Sequence, residues 1–153
     1  MKKFAILGVL PILALALLTG CMAGKKGPTD EELVMQKTQT FAADILAAKT
    51  DNLLSYVSED FSHPRVANKQ ELSDQIQKAK DKGKLDKLAD TIKEHDGKID
   101  LTQAKVTIDK QKGTASVYPI DASADIGSVT VELTFKKDAD KVWRILTINI
   151  EGI

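Results

Sequence analysis

Cysteine is nearly absent from this chain: Cys21 is the only one in 153 residues. No disulfide can form within the chain, so the domain behind Cys21 folds on its hydrophobic core alone. Charge of one sign is also lacking. The chain holds 22 basic and 22 acidic side chains, and a nucleic-acid surface normally needs a clear basic excess. Aromatic residues make up 5%, which argues against a site built on stacked rings. The two histidines, His63 and His95, are too few for a zinc site without carboxylate help. No phosphate loop, nucleophile elbow or zinc-binding helix motif occurs. The expectation is no metal and no cofactor. Nor does any apolar run reach the roughly 20 residues that span a bilayer.

A shorter apolar run is present, at the start. Met1, Lys2 and Lys3 precede a stretch from Phe4 to Leu18 that Gly8 and Pro11 interrupt. A charged start and a short apolar centre have the shape of a secretory signal. Leu18-Thr19-Gly20-Cys21 then closes it. Small residues admit an extended backbone to a peptidase, and the cysteine supplies a thiol. The string resembles the bacterial lipobox. That resemblance implies cleavage between Gly20 and Cys21, lipidation of the Cys21 thiol and acylation of the new amino group. Two or more acyl chains hold a protein on a membrane stably, at about 0.8 kcal/mol per buried CH₂. Met22 follows the cysteine, where an aspartate would resemble an inner-membrane retention signal. In a two-membrane cell the expected location is therefore the outer membrane, with the domain facing the periplasm.

Removing residues 1–20 from 153 leaves 133, one domain of ordinary size. The leader carries two lysines and no acid, so 20 basic and 22 acidic side chains remain, a formal charge of −2. Residues 21–28 read as the lipidated cysteine and a flexible Gly- and Pro-containing tether. Residues 29–153 read as a single domain. Thr29 with Glu32 forms a capping-box pattern. Val34, Thr38, Phe41, Ile45 and Ala48 then give one inward helical stripe. A short helix is expected over Asp51–Val57, followed by an extended stretch around Pro64. Asn68 with Glu71 repeats the cap pattern and opens a third helix, interrupted at Gly83. Leu85, Leu88, Ala89 and Ile92 add one or two more amphipathic turns, ending near Gly97.

Beyond Gly97 the period changes from helical to alternating. Four strands are expected, around Ala104–Ile108, Thr114–Ile120, Ser128–Lys136 and Val142–Ile150. In the last, Trp143 and Ile145 are out of phase with Leu146, Ile148 and Ile150. Either a bulge shifts the register or both faces are covered. The order predicts an α+β fold with helices packed on one face of a curved antiparallel four-stranded meander. Phe41-Ala42-Ala43-Asp44-Ile45-Leu46 leads into Leu53-Leu54-Ser55-Tyr56-Val57-Ser58-Glu59-Asp60-Phe61. Asn68-Lys69-Gln70-Glu71-Leu72 opens the third helix, and Lys141-Val142-Trp143-Arg144-Ile145 lies in the final strand. Together these segments resemble the nuclear-transport-factor-2-like superfamily, whose cone-shaped fold includes ketosteroid isomerase and scytalone dehydratase. The resemblance covers about residues 30–152 and implies a pocket between the curved sheet and the long helix.

Within such a cone, Phe41, Ile45, Val131, Leu133 and Phe135 are the expected apolar pocket lining. The candidate catalytic residues are Tyr56, Asp60 and His63, since a carboxylate and an imidazole across a pocket can shuttle a proton. The plainer account is that Asp60 and His63 are loop residues at the rim. His95 falls in the charged segment Lys93-Glu94-His95-Asp96-Gly97 and reads as a solvated turn. Asp121-Ala122-Ser123-Ala124-Asp125 faintly copies a calcium loop, but a polar bend between strands is the better reading. Trp143 reads as core. The function expected is a non-enzymatic envelope lipoprotein that takes a small apolar ligand or an envelope protein, without nucleic acid. The alternative is a small lyase or isomerase using Asp60 and His63.

Overall fold

The computed structural model describes residues 27–152. The cleavage and lipidation residues Gly20 and Cys21, and most of the tether, lie outside them. Among the described residues, no helix is long and apolar enough to cross a membrane.

The chain enters through exposed Gly27 and Pro28 and turns into α1 (Asp30–Leu46). Thr29 Oγ1 accepts the Glu32 N–H at 3.2 Å, and the Glu32 carboxylate accepts the Thr29 N–H at 2.8 Å. This reciprocal cap satisfies two otherwise orphaned donors. Val34 and Thr38 are fully buried, and Phe41 and Ile45 are half-buried, as the stripe predicts. Asp44 is buried as well, although the periodic stripe held no ionisable residue. A 3-10 helix, Thr50–Tyr56, returns the chain along α1. Its Tyr56 hydroxyl donates to Asp44 at 2.6 Å, which is what lets a carboxylate sit inside.

Residues 57–68 run along the sheet. The Ser58 N–H donates to the carbonyl of Ile145, and the Ser62 N–H to that of Leu146. Asn68 caps α2 (Lys69–Asp81) by accepting the Glu71 N–H at 2.9 Å. Gly83, at φ +63°, permits the left-handed turn into α3 (Lys84–Glu94). Neither α2 nor α3 carries a fully buried residue, so both rest on the domain rather than inside it.

The sheet is antiparallel and open, and it has five strands where four were expected. The additional one is β1 (Lys98–Asp100), which pairs with the far end of β3 (Thr114–Ala124). β2 (Lys105–Asp109) pairs with the near end of the same β3 edge. The first edge strand is thus split in two around Leu101–Ala104, and three residues are too few to show alternation in a sequence. β4 (Gly127–Lys137) and β5 (Trp143–Glu151) complete the order β1-β3-β4-β5. The polar bend expected at Asp121–Asp125 is strand through Ala124. Pairing with β1 on one side and β4 on the other overrides the weak intrinsic preference of Asp, Ala and Ser.

Two bulges curve the sheet. Opposite Glu132, β3 carries both Tyr118 and Pro119 between the Val117 and Ile120 pairs; Pro119 has no N–H to give the ladder. In β5, Leu146 is the extra residue between Thr147 (opposite Thr134) and Ile145 (opposite Phe135). That bulge explains the phase change in the sequence, because it brings Ile145 and Ile148 to the same face as Leu133 and Phe135. The core lies between this face and α1. Val117, Leu133, Phe135, Trp143 and Ile145 are at most 3% exposed.

Candidate functional site

α1 runs the length of the sheet. Its start touches the β4–β5 end, where Asp30 accepts from Lys137 Nζ at 2.7 Å and from Trp143 Nε1 at 2.9 Å. Its 17 residues, at about 1.5 Å each, carry the helix about 25 Å to the other pole. There Ile45 and Leu46 help line an open groove of about 540 Å³.

The groove exists because α3 stands off the sheet. Its Leu88, Thr91, Ile92 and His95 form one wall. The opposite wall is the tip of the β3–β4 hairpin, with Ala122, Ala124, Ile126 and Val129, and β1 contributes Lys98 and Ile99. Gly97 joins the walls: its N–H donates to the Ile92 carbonyl at 2.8 Å. A side chain there would meet the Ile92 side chain at 3.1 Å and its carbonyl oxygen at 3.2 Å, so glycine allows the close approach. The lining is overwhelmingly aliphatic. Ile126 is 73% exposed and Leu88 40%, apolar surface left in water beside an apolar groove. The volume is within the range of about 300–1,000 Å³ typical of small-molecule sites.

Of the five residues expected to line a pocket, Ile45 borders this groove. The other four do not. Leu133 and Phe135 are buried in the core, and Phe41 and Val131 pack against it. Phe41 meets Tyr56 edge-on, with ring centroids 5.4 Å apart. The reason is that α1 lies close on the middle of the sheet and fills the space that an empty cone would leave. Among the described residues, the aliphatic-lined space is at the pole, under α3.

Nor do Tyr56, Asp60 and His63 converge. Tyr56 is bound to Asp44, and this hydrogen bond, together with burial, pushes its phenol up to about 12. It is a fixed donor, not a proton shuttle. Asp60 is largely exposed and paired with Lys136. His63 is half-buried and accepts the Arg65 N–H on Nδ1 at 3.1 Å. Asp60 borders a second, polar cleft of about 630 Å³ at the β4–β5 turn end of the sheet. Its ionic groups already satisfy one another. Lys69 meets Glu59 at 2.7 Å, Lys136 meets Asp60, and Arg144 meets Asp138 at 3.0 Å and Asp140 at 2.7 Å. Arg144 holds the Asp140 carboxyl down at about 2, and Asp138 also accepts from the fully buried Ser58 at 2.8 Å. This network ties the β4–β5 turn to the loop after Tyr56.

One polar pair at the groove had no signal in the sequence. His95 Nδ1 lies 2.8 Å from Asp125 Oδ1, and the Asp125 N–H donates to the His95 carbonyl at 3.0 Å. The turn is mostly exposed, as expected, and is also fastened to the β3–β4 hairpin, because β1 pairs with the end of β3 and draws the two together. The partners are 30 residues apart, and nothing local marks them. Among the described residues, no group of three or more His, Cys, Asp or Glu is arranged to hold a metal ion.

No protein-family model matches the sequence, and no curated protein matches it. Solved structures do. The chain is similar to a candidate ketosteroid isomerase from Parabacteroides distasonis, at 10% identity and TM-score 0.55, over 82% of this chain and 89% of that one. It is similar to a candidate dehydratase of the nuclear-transport-factor-2-like family from Streptomyces avermitilis, at 16% identity and TM-score 0.51, over 81% and 96%. It also matches Bd1075 of Bdellovibrio bacteriovorus, at 10% identity and TM-score 0.51, where it covers 78% of its own length but spans 39% of that longer protein. At these identities the likeness is one of fold: the domain shares an α+β architecture with solved structures that include nuclear-transport-factor-2-like and ketosteroid-isomerase-like proteins. The fold by itself carries no reaction.

Proposed function

We propose that this chain is an envelope lipoprotein, anchored through acyl groups on Cys21, whose domain binds a small aliphatic molecule without transforming it. The observation that carries the reading is the groove under α3, about 540 Å³ with a mainly aliphatic lining and an exposed isoleucine at its lip. Two further points support it. The candidate catalytic residues stand apart, each engaged with a different partner. And the groove lies at the pole away from Thr29, so attachment through residues 21–28 leaves its mouth clear of the chain's entry into the domain. The Leu18-Thr19-Gly20-Cys21 string supports the anchor, and Met22 after it supports the outer membrane, with the domain in the periplasm.

The test is to isolate the protein without harsh detergent, extract it with organic solvent and identify what is released by mass spectrometry. The expected result is an aliphatic compound near one per chain, absent from Ile92→Glu, which puts a charge on the groove wall. Ile92 is only half-buried, so the variant keeps its thermal midpoint within a few degrees. Empty extracts, together with no uptake of any added aliphatic probe, would remove the reading.

One observation favours the second reading, a small isomerase or lyase. It is the imidazole of His95 at the groove with its Nδ1 fixed by a carboxylate, the arrangement that orients a general base. Chemical change of the extracted compound on re-incubation with the protein, lost in His95→Gln, would move this reading ahead of the first.

A further inference from the structure

The groove's charge is confined to one place. Thr91, Ser123 and Ser128 add neutral hydroxyls to an otherwise mainly aliphatic lining, and the ionisable side chains that line it are His95 and Lys98. Whether a ligand's polar head can carry charge is therefore decided there, and what that place accepts can be read from its charges.

Among the described residues, Lys98 is the one permanent cation on the lining, and it is paired with Asp96. His95 is paired with Asp125. A carboxylate only accepts, so Nδ1 of His95 carries the proton. In the neutral ring, Nε2 is then an acceptor. The C-terminal end of α3 comes to the same point, since His95 caps that helix, and a helix end of this kind carries partial negative charge. An imidazole acceptor and a helix C-terminus thus meet at the place, with a carboxylate behind each of His95 and Lys98, against one ammonium that is already paired. An incoming carboxylate would meet like charge on Asp125 and Asp96 and would be taken from water for no free cation. A hydroxyl donates one hydrogen bond and brings no charge.

Resting on the aliphatic-binding reading above, we infer that the groove takes a single-chain lipid with a neutral, hydrogen-bond-donating head, such as a long-chain alcohol or a monoacylglycerol, and discriminates against the fatty acid of the same chain length. His95 and Asp125 are the specificity-determining residues. His95 accepts from the head, and Asp125 fixes the tautomer and repels the acid.

Two photoactivatable probes test this, a diazirine-bearing monoacylglycerol and the matching fatty acid, presented at equal concentration to the full chain in isolated membranes at pH 8. Labelled residues are mapped by peptide mass spectrometry. The neutral probe is expected to label residues 88–99 and 122–129 at least about tenfold more than the acid, a ratio within reach of a few opposed charges. Asp125→Asn should narrow that ratio by raising acid labelling, and His95→Leu should lower labelling by the neutral probe. Equal labelling by both probes, or a ratio unchanged in Asp125→Asn, would overturn the inference while leaving the aliphatic reading in place. Labelling of the groove by neither probe would overturn both.

Discussion

Trp143 is the residue at which packing and hydrogen bonding can be weighed apart. Its ring is 3% exposed and lies in the core cluster with Val34, Phe135 and Ile145. Its Nε1 donates to Asp30 at 2.9 Å, and the Lys137 ammonium lies 5.6 Å from the ring centroid. Replacing it with alanine removes the whole ring, so the expected loss is about 3–5 kcal/mol from a total of about 5–15 kcal/mol. Asp30 is not orphaned by the change, because Lys137 still donates to it at 2.7 Å. The hydrogen bond therefore accounts for only about 1 kcal/mol of the loss. The ammonium over the ring adds about 0.5–1 kcal/mol. Trp143→Phe keeps most of the packing and should cost well under half of what Trp143→Ala does. The assay is urea unfolding of a chain starting at residue 27, followed by far-UV circular dichroism, since Trp143 is the only tryptophan and fluorescence would vanish with it. With a slope of about 1–3 kcal/mol per M urea, a loss of about 4 kcal/mol lowers the midpoint by roughly 1.3–4 M. A loss below about 1 kcal/mol, the range of surface sites, would refute the packing. Equal losses for Phe and Ala would show that the Asp30 bond, not the ring, carries the site.

Cys21→Ser should leave an uncleaved, unlipidated precursor, read by intact mass; a variant processed to the same mature mass and still pelleting with membranes would end the lipoprotein reading. Tyr56→Phe withdraws the donor from buried Asp44 and should cost about 1–3 kcal/mol, where an unchanged midpoint would mean that solvent or Lys49, 3.6 Å away, replaces it. Because the phenol's folded value is raised from 10 to about 12, its contribution is complete below pH 10 and fades as pH rises through about 12; Tyr56→Phe should flatten the alkaline loss of stability. The opposite sign holds for Asp140, whose folded value is depressed to about 2. Its contribution is complete above about pH 4 and is lost as pH falls toward 2, so Asp140→Asn should flatten the thermal midpoint between pH 4 and 2, and an unchanged slope there would show the Arg144 pair to be inert.

Much of the fold was written locally and so could be read. Thr29 and Asn68 announce their helices because a cap is a contact over three residues. The out-of-phase residues of β5 left two readings, a bulge or two covered faces, and the register shift at Leu146 decides for the bulge. What could not be read was set by contacts between distant segments. β1 is three residues that become a strand only because the end of β3 is there to pair with them. Asp44 is buried only because Tyr56, 12 positions on, gives it a proton donor. Four of the five residues expected to line a pocket lie in or against the core for a related reason. Alternation identifies an inward face but not whether that face meets a helix or a void. Leu133 and Phe135 face inward as expected, but α1 covers them, and the free space is at the pole under α3. His95 and Asp125 are the same case in polar form.

The most direct measure of the central claim is a methyl-resolved NMR titration with a monoacylglycerol below its aggregation concentration. The account predicts that the methyls of Ile92, Ile99, Ile126 and Val129, which line the groove, shift together and saturate at one equivalent. Those of Leu133 and Ile145, buried in the core, should stay within the line width. Shifts centred on Leu133 and Ile145, or on Ala139 in the cleft beside Asp60 and Arg144, would place the ligand elsewhere and contradict it. So would a titration in which no methyl moves.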